Sequence, residues 1–269
     1  MKIVRFETGE GRIHLGRQRD DGAVERLDGE LFDGLAPTGE VRQPRRILAP
    51  LIPTTVYCIG ANYRRHCDEC NVAYPEQPIV FMKGANALVD PGQPIVMPSV
   101  CDGDEVDYEG ELAVVIGKRC KNVSRERALD YVLGYTCAND VSARNWQKNR
   151  GGGQWCRGKG FDSFLPLGPA LVTGDEIPDP AELTLRTWVN GDLRQESPTN
   201  DMIFDIPELI AFLSSGTTLL PGTVILTGTP HGVGLGFDPP RMLRPGDEVR
   251  IEIDRIGALV NPVAAEAQA

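Results

Sequence analysis

Asp107-Tyr108-Glu109-Gly110-Glu111-Leu112-Ala113-Val114-Val115-Ile116 is the stretch on which the reading of this chain turns. Its apolar and β-branched half, Leu112 to Ile116, has the composition of a strand. In a strand, residues i and i+2 share a face. Glu109 and Glu111 therefore point the same way, towards the side that also carries Ala113 and Val115. Two carboxylates side by side near an interior repel each other and resist desolvation. A hard divalent cation, which takes oxygen ligands, relieves both costs. The alternative is an exposed strand end with both side chains in water, and the decapeptide alone leaves the two readings open.

Outward from it, short strand-like runs dominate. Thr55 to Gly60, Ile79 to Met82, Leu183 to Val189, Thr223 to Leu226 and Glu248 to Ile253 all carry strand patterns. Helical periodicity is confined to Arg125 to Val132 behind Ser124, Val141 to Lys148, and Ile206 to Ser214 with Asp205 before it and Pro207 in its first turn. Many strands and few helices predict an all-β or α+β core and not a doubly wound parallel sheet. Residues 1 to about 50 read as a small separate unit of short strands, and Leu35 to Arg46, rich in Pro and Gly, reads as a linker.

The 269 residues suffice for one large domain with a small appendage. With 28 Lys plus Arg against 38 Asp plus Glu, the formal charge of −10 argues against nucleic acid and against an anionic membrane as partner. It leaves room for a small anionic substrate at a locally cationic site. No stretch approaches the length of a membrane span, and Met1 to Glu7 has no apolar run before a cleavage signal. Seven scattered cysteines then read as reduced thiols in the cytoplasm. Cys67 and Cys70 form a C-x-x-C, but no second pair completes a zinc motif, and the acidic spacer Asp68-Glu69 disfavours a redox pair. Two incidental helical thiols is the preferred reading.

Several side chains carry candidate chemistry. His66 and Glu69 stand at i and i+3, where a carboxylate can orient an imidazole, although a surface pair has the same spacing. Asp140 reads as a helix N-cap, and Arg144 and Gln147 share the following helical face. Gly151-Gly152-Gly153 predicts a mobile loop suited to gating, and Lys159, flanked by Gly158 and Gly160, is either a ligand contact or a plain surface lysine. Thr227-Gly228-Thr229-Pro230 lacks the spacing of a nucleotide loop. It suits a tight turn whose amides and Thr229 hydroxyl meet a carboxylate.

Together these pieces resemble the fumarylacetoacetate hydrolase family, in its acylpyruvase-like and 2-hydroxyhepta-2,4-diene-1,7-dioate isomerase-like members. The matching elements occur in family order over about residues 55 to 262. They are Gly60-x-Asn62-Tyr63-x-x-His66-x-x-Glu69, Asp107-Tyr108-Glu109-x-Glu111, Asn139-Asp140-x-Ser142-x-Arg144-x-x-Gln147, Gly158-Lys159-x-Phe161-Asp162 and Leu226-Thr227-Gly228-Thr229-Pro230. The resemblance implies an α+β fold, a mixed β-sandwich roll (fumarylacetoacetase C-terminal-like) over residues 55–262 with a small N-terminal domain over 1–50. It implies Mg²⁺ or Mn²⁺, with Ca²⁺ as an alternative, on Glu109, Glu111 and Asp140. His66 and Glu69 match a water-activating dyad on a segment that orders over the substrate, Lys159 would stabilise an oxyanion, and Arg144, Gln147 and Thr229 match substrate contacts. A homodimer is implied by the family alone.

The activity expected from this is cleavage of a C–C bond next to a ketone in an acylpyruvate or diketo acid. The metal would stabilise the departing enolate and His66 would serve as base, so that activity falls on the acid side near pH 6 to 7. With water excluded, the same enolate leads to isomerisation or decarboxylation of 2-hydroxy-diene dicarboxylates or oxaloacetate-like 2-oxo acids, in aromatic or related catabolism. A non-enzymatic binding protein on the same fold is the rival from another class.

Overall fold

The computed structural model describes all residues except 20, 102, 268 and 269. The strand begun by Glu111 becomes Gly110–Ile116, all seven residues buried. A strand covered on both faces reads as continuously apolar, which explains the run from Leu112 to Ile116. It lies deep within a twelve-stranded mixed sheet, paired antiparallel to Val132–Asn139 on one side and to Thr223–Leu226 on the other. Beyond Thr223–Leu226 the order continues through Thr55–Gly60, which runs parallel to it, to Ile79–Lys83 at the end of the sheet. A second sheet of five strands, in the order Asp192–Pro198, Thr184–Val189, Glu248–Ile253, Gly257–Ala265 and Ile95–Met97, covers one face of the first.

Gly110 marks the contact between the two sheets. A Cβ there would lie 2.2 Å from Thr187 Oγ1 and 3.2 Å from Gln195 Oε1, both on the second sheet. Its N–H donates to that same Gln195 oxygen at 2.9 Å. Gly110 thus faces the sandwich interior. By strand alternation Glu109 and Glu111 face the other way, towards the helical pieces and loops that roof the site.

The first fifty residues make a meander, Lys2–Glu7, Ile13–Gln18, Val24–Glu30 and Gly34–Arg42. It joins the large sheet by pairing Lys2 with Val172 and Ile3 with Leu171. Val4, Phe6, Val24 and Ala170 form a small apolar cluster of its own. The linker expected over Leu35 to Arg46 is instead mostly the outermost strand, Gly34–Arg42. An edge strand tolerates Pro37 and the glycines because one side of its ladder is unpaired.

The helical expectations fare unevenly. Ile206–Ser214 is a helix capped by Asp205, whose carboxylate accepts from the Glu208 N–H at 3.0 Å. Arg125–Tyr131 is a 3₁₀ segment, and Ser124 makes no side-chain cap. The helix expected from Val141 is delayed. Ser142–Ala143 first pairs with Val106–Asp107, helical residues begin at Arg144, and a π turn follows over Trp146–Arg150. Asp140 is therefore not an N-cap; it stands at the break between two strands.

The crowding at Gly110 makes a direct prediction. Gly110→Ala forces a methyl into the contact between the sheets and should cost about 1–3 kcal/mol, read as a lowered urea midpoint with an unchanged slope. An unaltered midpoint would show that the two sheets do not meet there as described.

Candidate active site

Seven charged side chains are buried together beside the strand Gly110–Ile116. Four are carboxylates, Asp107, Glu109, Glu111 and Asp140, and three are cations, Lys83, Arg144 and Lys159. No buried charge is tolerable without partners, and the distances show how each is matched. Lys159 Nζ donates to Glu109 Oε2 at 2.7 Å and to Asp140 Oδ2 at 2.9 Å. Arg144 grips Asp107 Oδ2 through Nε at 2.9 Å and Nη2 at 2.7 Å, and reaches Glu109 Oε1 through Nη1 at 2.5 Å. Lys83 Nζ lies 2.7 Å from Asp140 Oδ1. Asp140 Oδ1 has no hydrogen-bond partner, so the contact counts as an ion pair. The Lys83 protons go instead to the carbonyls of Val141, at 3.0 Å, and Lys159.

Local sequence explains the placement of these groups. Gly158 lets the turn Cys156–Lys159 lie on the segment after Arg144, since a Cβ there would sit 2.3 Å from Gln147 N. That contact drops Lys159 into the interior. Asn139 Oδ1 accepts from the Glu109 N–H at 3.0 Å, and the Asp140 N–H donates to Glu109 O at 2.9 Å. Gly228, at φ +98°, turns its N–H onto Glu111 Oε2 at 2.7 Å, and its missing Cβ leaves room for Asn62. Asn62 in turn donates to Thr227 O at 2.7 Å and Phe204 O at 3.0 Å, and accepts from the Phe204 N–H at 2.9 Å.

Glu109, Glu111 and Asp140 each bring an oxygen within 4.8 Å of the others. Burial penalises the charge of Glu109, but Lys159 and Arg144 outweigh it and hold its pKa at about 2. Glu111 is opposite in character. Burial first, and then the neighbouring Asp140 and Glu109 charges, push its pKa well up. It has the Gly228 N–H but no cation among its hydrogen bonds and ion pairs. Burial works against the Lys159 charge too, and Asp140 and Glu109 more than restore it, raising its pKa. The cluster therefore lacks positive charge on the Glu111 side. Three converging carboxylates, one of them without a cation and one with an Oδ1 lacking a hydrogen-bond donor, form a donor set suited to a hard divalent ion. The carboxylates are buried, so the alternative of a solvated Glu pair is discarded.

His66 lies on the short helix Arg64–Glu69, with Nδ1 3.3 Å from Glu69 Oε2. The other oxygen of Glu69 accepts from the Gly232 N–H at 2.8 Å, which fixes the carboxylate. Burial lowers the imidazole pKa, but contacts to Cys70 and Glu69 outweigh it and raise it to about 9. The ring contacts to Cys70 and Glu69 thus place His66 above the ordinary imidazole range. His66, Glu109, Arg144, Gln147, Lys159 and Thr229 all line one cavity of about 220 Å³. Its remaining wall is largely apolar, with Ile59, Phe81, Trp155 and Leu235.

Two contacts differ from expectation in what they leave free. The Thr229 hydroxyl donates to Gly110 O at 3.0 Å and accepts from Gln195 Nε2 at 2.8 Å, so its proton is held by the strand. Arg144 is held by Asp107 and Glu109, and also donates to Gln147 Oε1 at 3.1 Å; this leaves the Gln147 amide N–H groups to face a ligand. Glycines 152 and 153 sit at positive φ in open space, as a turn leading to Trp155. Lys83 and Gln195 escaped the sequence reading. Lys83 closes a strand that alternates Phe81 and Lys83 inward, the one local hint of its burial. Asp107 was visible only as part of the strand motif; its grip on Arg144 is purely tertiary.

Comparisons with known proteins bear on the family and the fold. The sequence model described as fumarylacetoacetate (FAA) hydrolase C-terminal matches residues 55–264, and one described as Rv2993c-like, N-terminal, matches residues 1–50. A relative from Xenopus laevis, named oxaloacetate tautomerase fahd2, mitochondrial, is 54% identical over 218 residues, 81% of this chain and 68% of that protein. The solved 5-carboxymethyl-2-hydroxymuconate delta-isomerase from Mycobacterium smegmatis superposes with a TM-score of 0.86 at 42% identity, covering 99% of this chain and all of that one. Maleylpyruvate hydrolase from Sphingobium, solved with manganese(II) and pyruvate, does so with a TM-score of 0.78 at 33% identity over 99% of this chain and all of that one. No helix among the described residues is long and apolar enough to cross a membrane. With the buried carboxylates in place and four-fifths of the sequence matched, the chain belongs to the fumarylacetoacetate hydrolase family.

Proposed function

We propose that this protein interconverts the enol and keto forms of a small 2-oxo dicarboxylic acid of the oxaloacetate kind. Glu109, Glu111 and Asp140 would hold Mg²⁺ or Mn²⁺, with Ca²⁺ a third candidate. The observation that carries the reading is His66, its Nδ1 3.3 Å from Glu69 Oε2, sharing one cavity with a cation-deficient carboxylate trio. When bound, the dication supplies Lewis acidity at the 2-oxo group. The chain supplies the proton traffic. In the enol-to-keto direction the enolic O–H passes its proton to solvent, the imidazolium of His66 delivers one to C3, and the neutral ring regains a proton from solvent. In reverse the neutral imidazole removes the proton from C3. Glu69 orients the ring and stabilises its charged form. Lys159 uses two of its three protons on Glu109 and Asp140, which leaves one for the enolate oxygen. The free Gln147 amide and the backbone of the Thr229 loop would meet a carboxylate, with Arg144 setting their positions.

A second reading, hydrolysis of a C–C bond in an acylpyruvate, is favoured by the intact His66–Glu69 pair and by the likeness to maleylpyruvate hydrolase. It needs His66 neutral as a base towards water. An imidazole charged at neutral pH suits isomerisation better, and so does the name of the Xenopus relative. We also propose a homodimer, by family analogy. The exposed Ile79, Val80 and Met82 on the last strand of the large sheet are consistent with a covered face. A clean 29.4 kDa species in sedimentation would contradict it. A cytoplasmic site is kept as the proposal for this chain on its seven scattered cysteines, although the Xenopus relative is named mitochondrial.

The two chemistries separate by pH. Ketonisation of enol-oxaloacetate, followed by loss of enol absorbance, should be saturable and should fall as pH rises through the His66 pKa, because the acid form is needed. A dication nearby draws that pKa down from about 9, so the fall lies on the neutral-to-alkaline side. Acylpyruvate cleavage would rise through the same range. His66→Ala should reduce kcat for ketonisation by roughly 10²-fold or more. Wild-type turnover in that variant would remove His66 from the mechanism.

Metal dependence has a thermodynamic signature. The Glu111 pKa is raised on folding, so its contribution to stability declines as pH climbs from its unfolded value towards its folded one. Glu111→Gln is neutral at every pH and should melt higher than the wild type in chelator at pH 7. The rise in Tm that Mg²⁺ or Mn²⁺ gives the wild type should disappear. A variant that keeps the full metal-induced rise would exclude Glu111 as a ligand, and full activity in excess chelator would exclude the metal.

A further inference from the structure

We propose that His66, Glu69 and Cys70 form a second metal site, selective for a borderline or soft dication such as Zn²⁺, and that filling it silences the imidazole. The silencing rests on the role proposed above for His66; the binding does not. Residues 66, 69 and 70 stand at i, i+3 and i+4 from the helix Arg64–Glu69 onward and so share one face. One ligand atom from each, an imidazole nitrogen, a carboxylate oxygen and a thiol sulfur, fit within 4.8 Å of one another.

The separations suit a tetrahedral ion. Zn–N and Zn–O bonds near 2.0–2.2 Å and a Zn–S bond near 2.3 Å place neighbouring ligand atoms roughly 3.3–3.6 Å apart. Nδ1 of His66 is already 3.3 Å from Glu69 Oε2. Sγ of Cys70 is 3.9 Å from Nδ1 and 4.0 Å from Nε2, so rotation of the Cys70 side chain that carries its sulfur to the Nδ1 lone pair closes the set. The Gly232 N–H, bonded to the far oxygen of Glu69, supplies the outer support that metal-ligating carboxylates require. His66 and Cys70 both line the cavity, which gives an ion its path of entry. Cys67 takes no part, because its thiol is buried and donates to Ala61 O at 3.3 Å. The C-x-x-C is therefore neither a redox pair nor a metal pair, and Cys70 belongs instead with the histidine one turn before it.

The donor sets of the two sites differ in kind. Three carboxylates favour a hard ion, whereas nitrogen, oxygen and sulfur favour Zn²⁺ or Co²⁺. Binding releases one proton from Nδ1 of the imidazolium and one from the Cys70 thiol. With the ion on Nδ1, the remaining ring proton is fixed on Nε2. The ring then has no lone pair to accept a proton at C3 and is no longer a cation able to give one. Zinc would stop turnover without displacing the ion on Glu109, Glu111 and Asp140.

Co²⁺ is the probe. Titrated into full-length protein held in excess Mg²⁺, it should produce a near-ultraviolet thiolate-to-cobalt charge-transfer band at one equivalent. Cys70→Ser should abolish the band, and Cys67→Ser and Cys156→Ser should keep it. Zn²⁺ should inhibit Mg²⁺-supported turnover. The concentration for half-inhibition, each protein measured against its own uninhibited rate, should rise at least about tenfold in Cys70→Ser. No band, or a band that survives Cys70→Ser, overturns the site. Inhibition unchanged in Cys70→Ser places zinc at the carboxylates and overturns it as well. A Cys70-dependent band without inhibition overturns the silencing. The band needs no turnover, so failure of the tautomerase reading leaves the binding result standing on its own.

Discussion

Lys159 holds two carboxylates at once, Glu109 at 2.7 Å and Asp140 at 2.9 Å, where all three side chains are buried. Much of the local architecture serves that contact. Gly158 permits the close approach that brings the lysine inward, Lys83 braces Asp140 and the Lys159 carbonyl from behind, and Arg144 keeps Glu109 turned towards the lysine while itself anchored on Asp107. Breaking one buried pair in such a network leaves a charge without a partner, which is far more damaging than losing a surface ion pair. The network is thus both a scaffold and a constraint on every side chain in it.

Its imbalance is what gives it chemical use. Four carboxylates face three cations, and the deficit is concentrated at Glu111. Glu109 is held fully ionised by its two cations while Glu111, two residues away, resists ionisation. That divergence between neighbours on one strand comes from their partners alone, since both are glutamates with equivalent burial. A site built this way is pre-organised around a missing positive charge, and it presents Lys159 and His66 to whatever ligand arrives with the cation.

Across the cavity, the same logic acts on His66 in the opposite sense. Cys70 and Glu69, the latter fixed by the Gly232 amide, push the imidazole pKa up and so favour its charged form. A family whose members carry names of tautomerases, isomerases and hydrolases can be understood from this pair of features. In the mechanism proposed here all three chemistries would pass through an enolate. What would divide them is whether the nearby imidazole gives a proton to carbon or takes one from water. The fold itself does not decide it.

Much of this was legible in the sequence because it is local. Strand periodicity around Glu111, the i, i+3 pair of His66 and Glu69, and the Asp205 cap depend only on residues within a turn or a pleat of each other. The order of five short motifs was enough to indicate the family and its mixed sheets. What sequence could not settle is set by contacts between distant segments. Leu35 to Arg42 lies in the outermost meander strand and Arg46 opens a short strand against Lys2–Glu7, so most of the expected linker is sheet, because pairing overrides Pro and Gly content. Asp140 reads as a cap until two lysines, 57 and 19 residues away, claim its oxygens. That the Thr229 hydroxyl is shared between Gly110 and Gln195 while the residue lines the cavity is likewise set by distant segments. The charge state of His66 could not be read from spacing either, because it is the net result of burial against contacts that exist only once the short helix is docked. Periodicity encodes which face a residue occupies; the field it feels is the sum over everything the fold brings to that face.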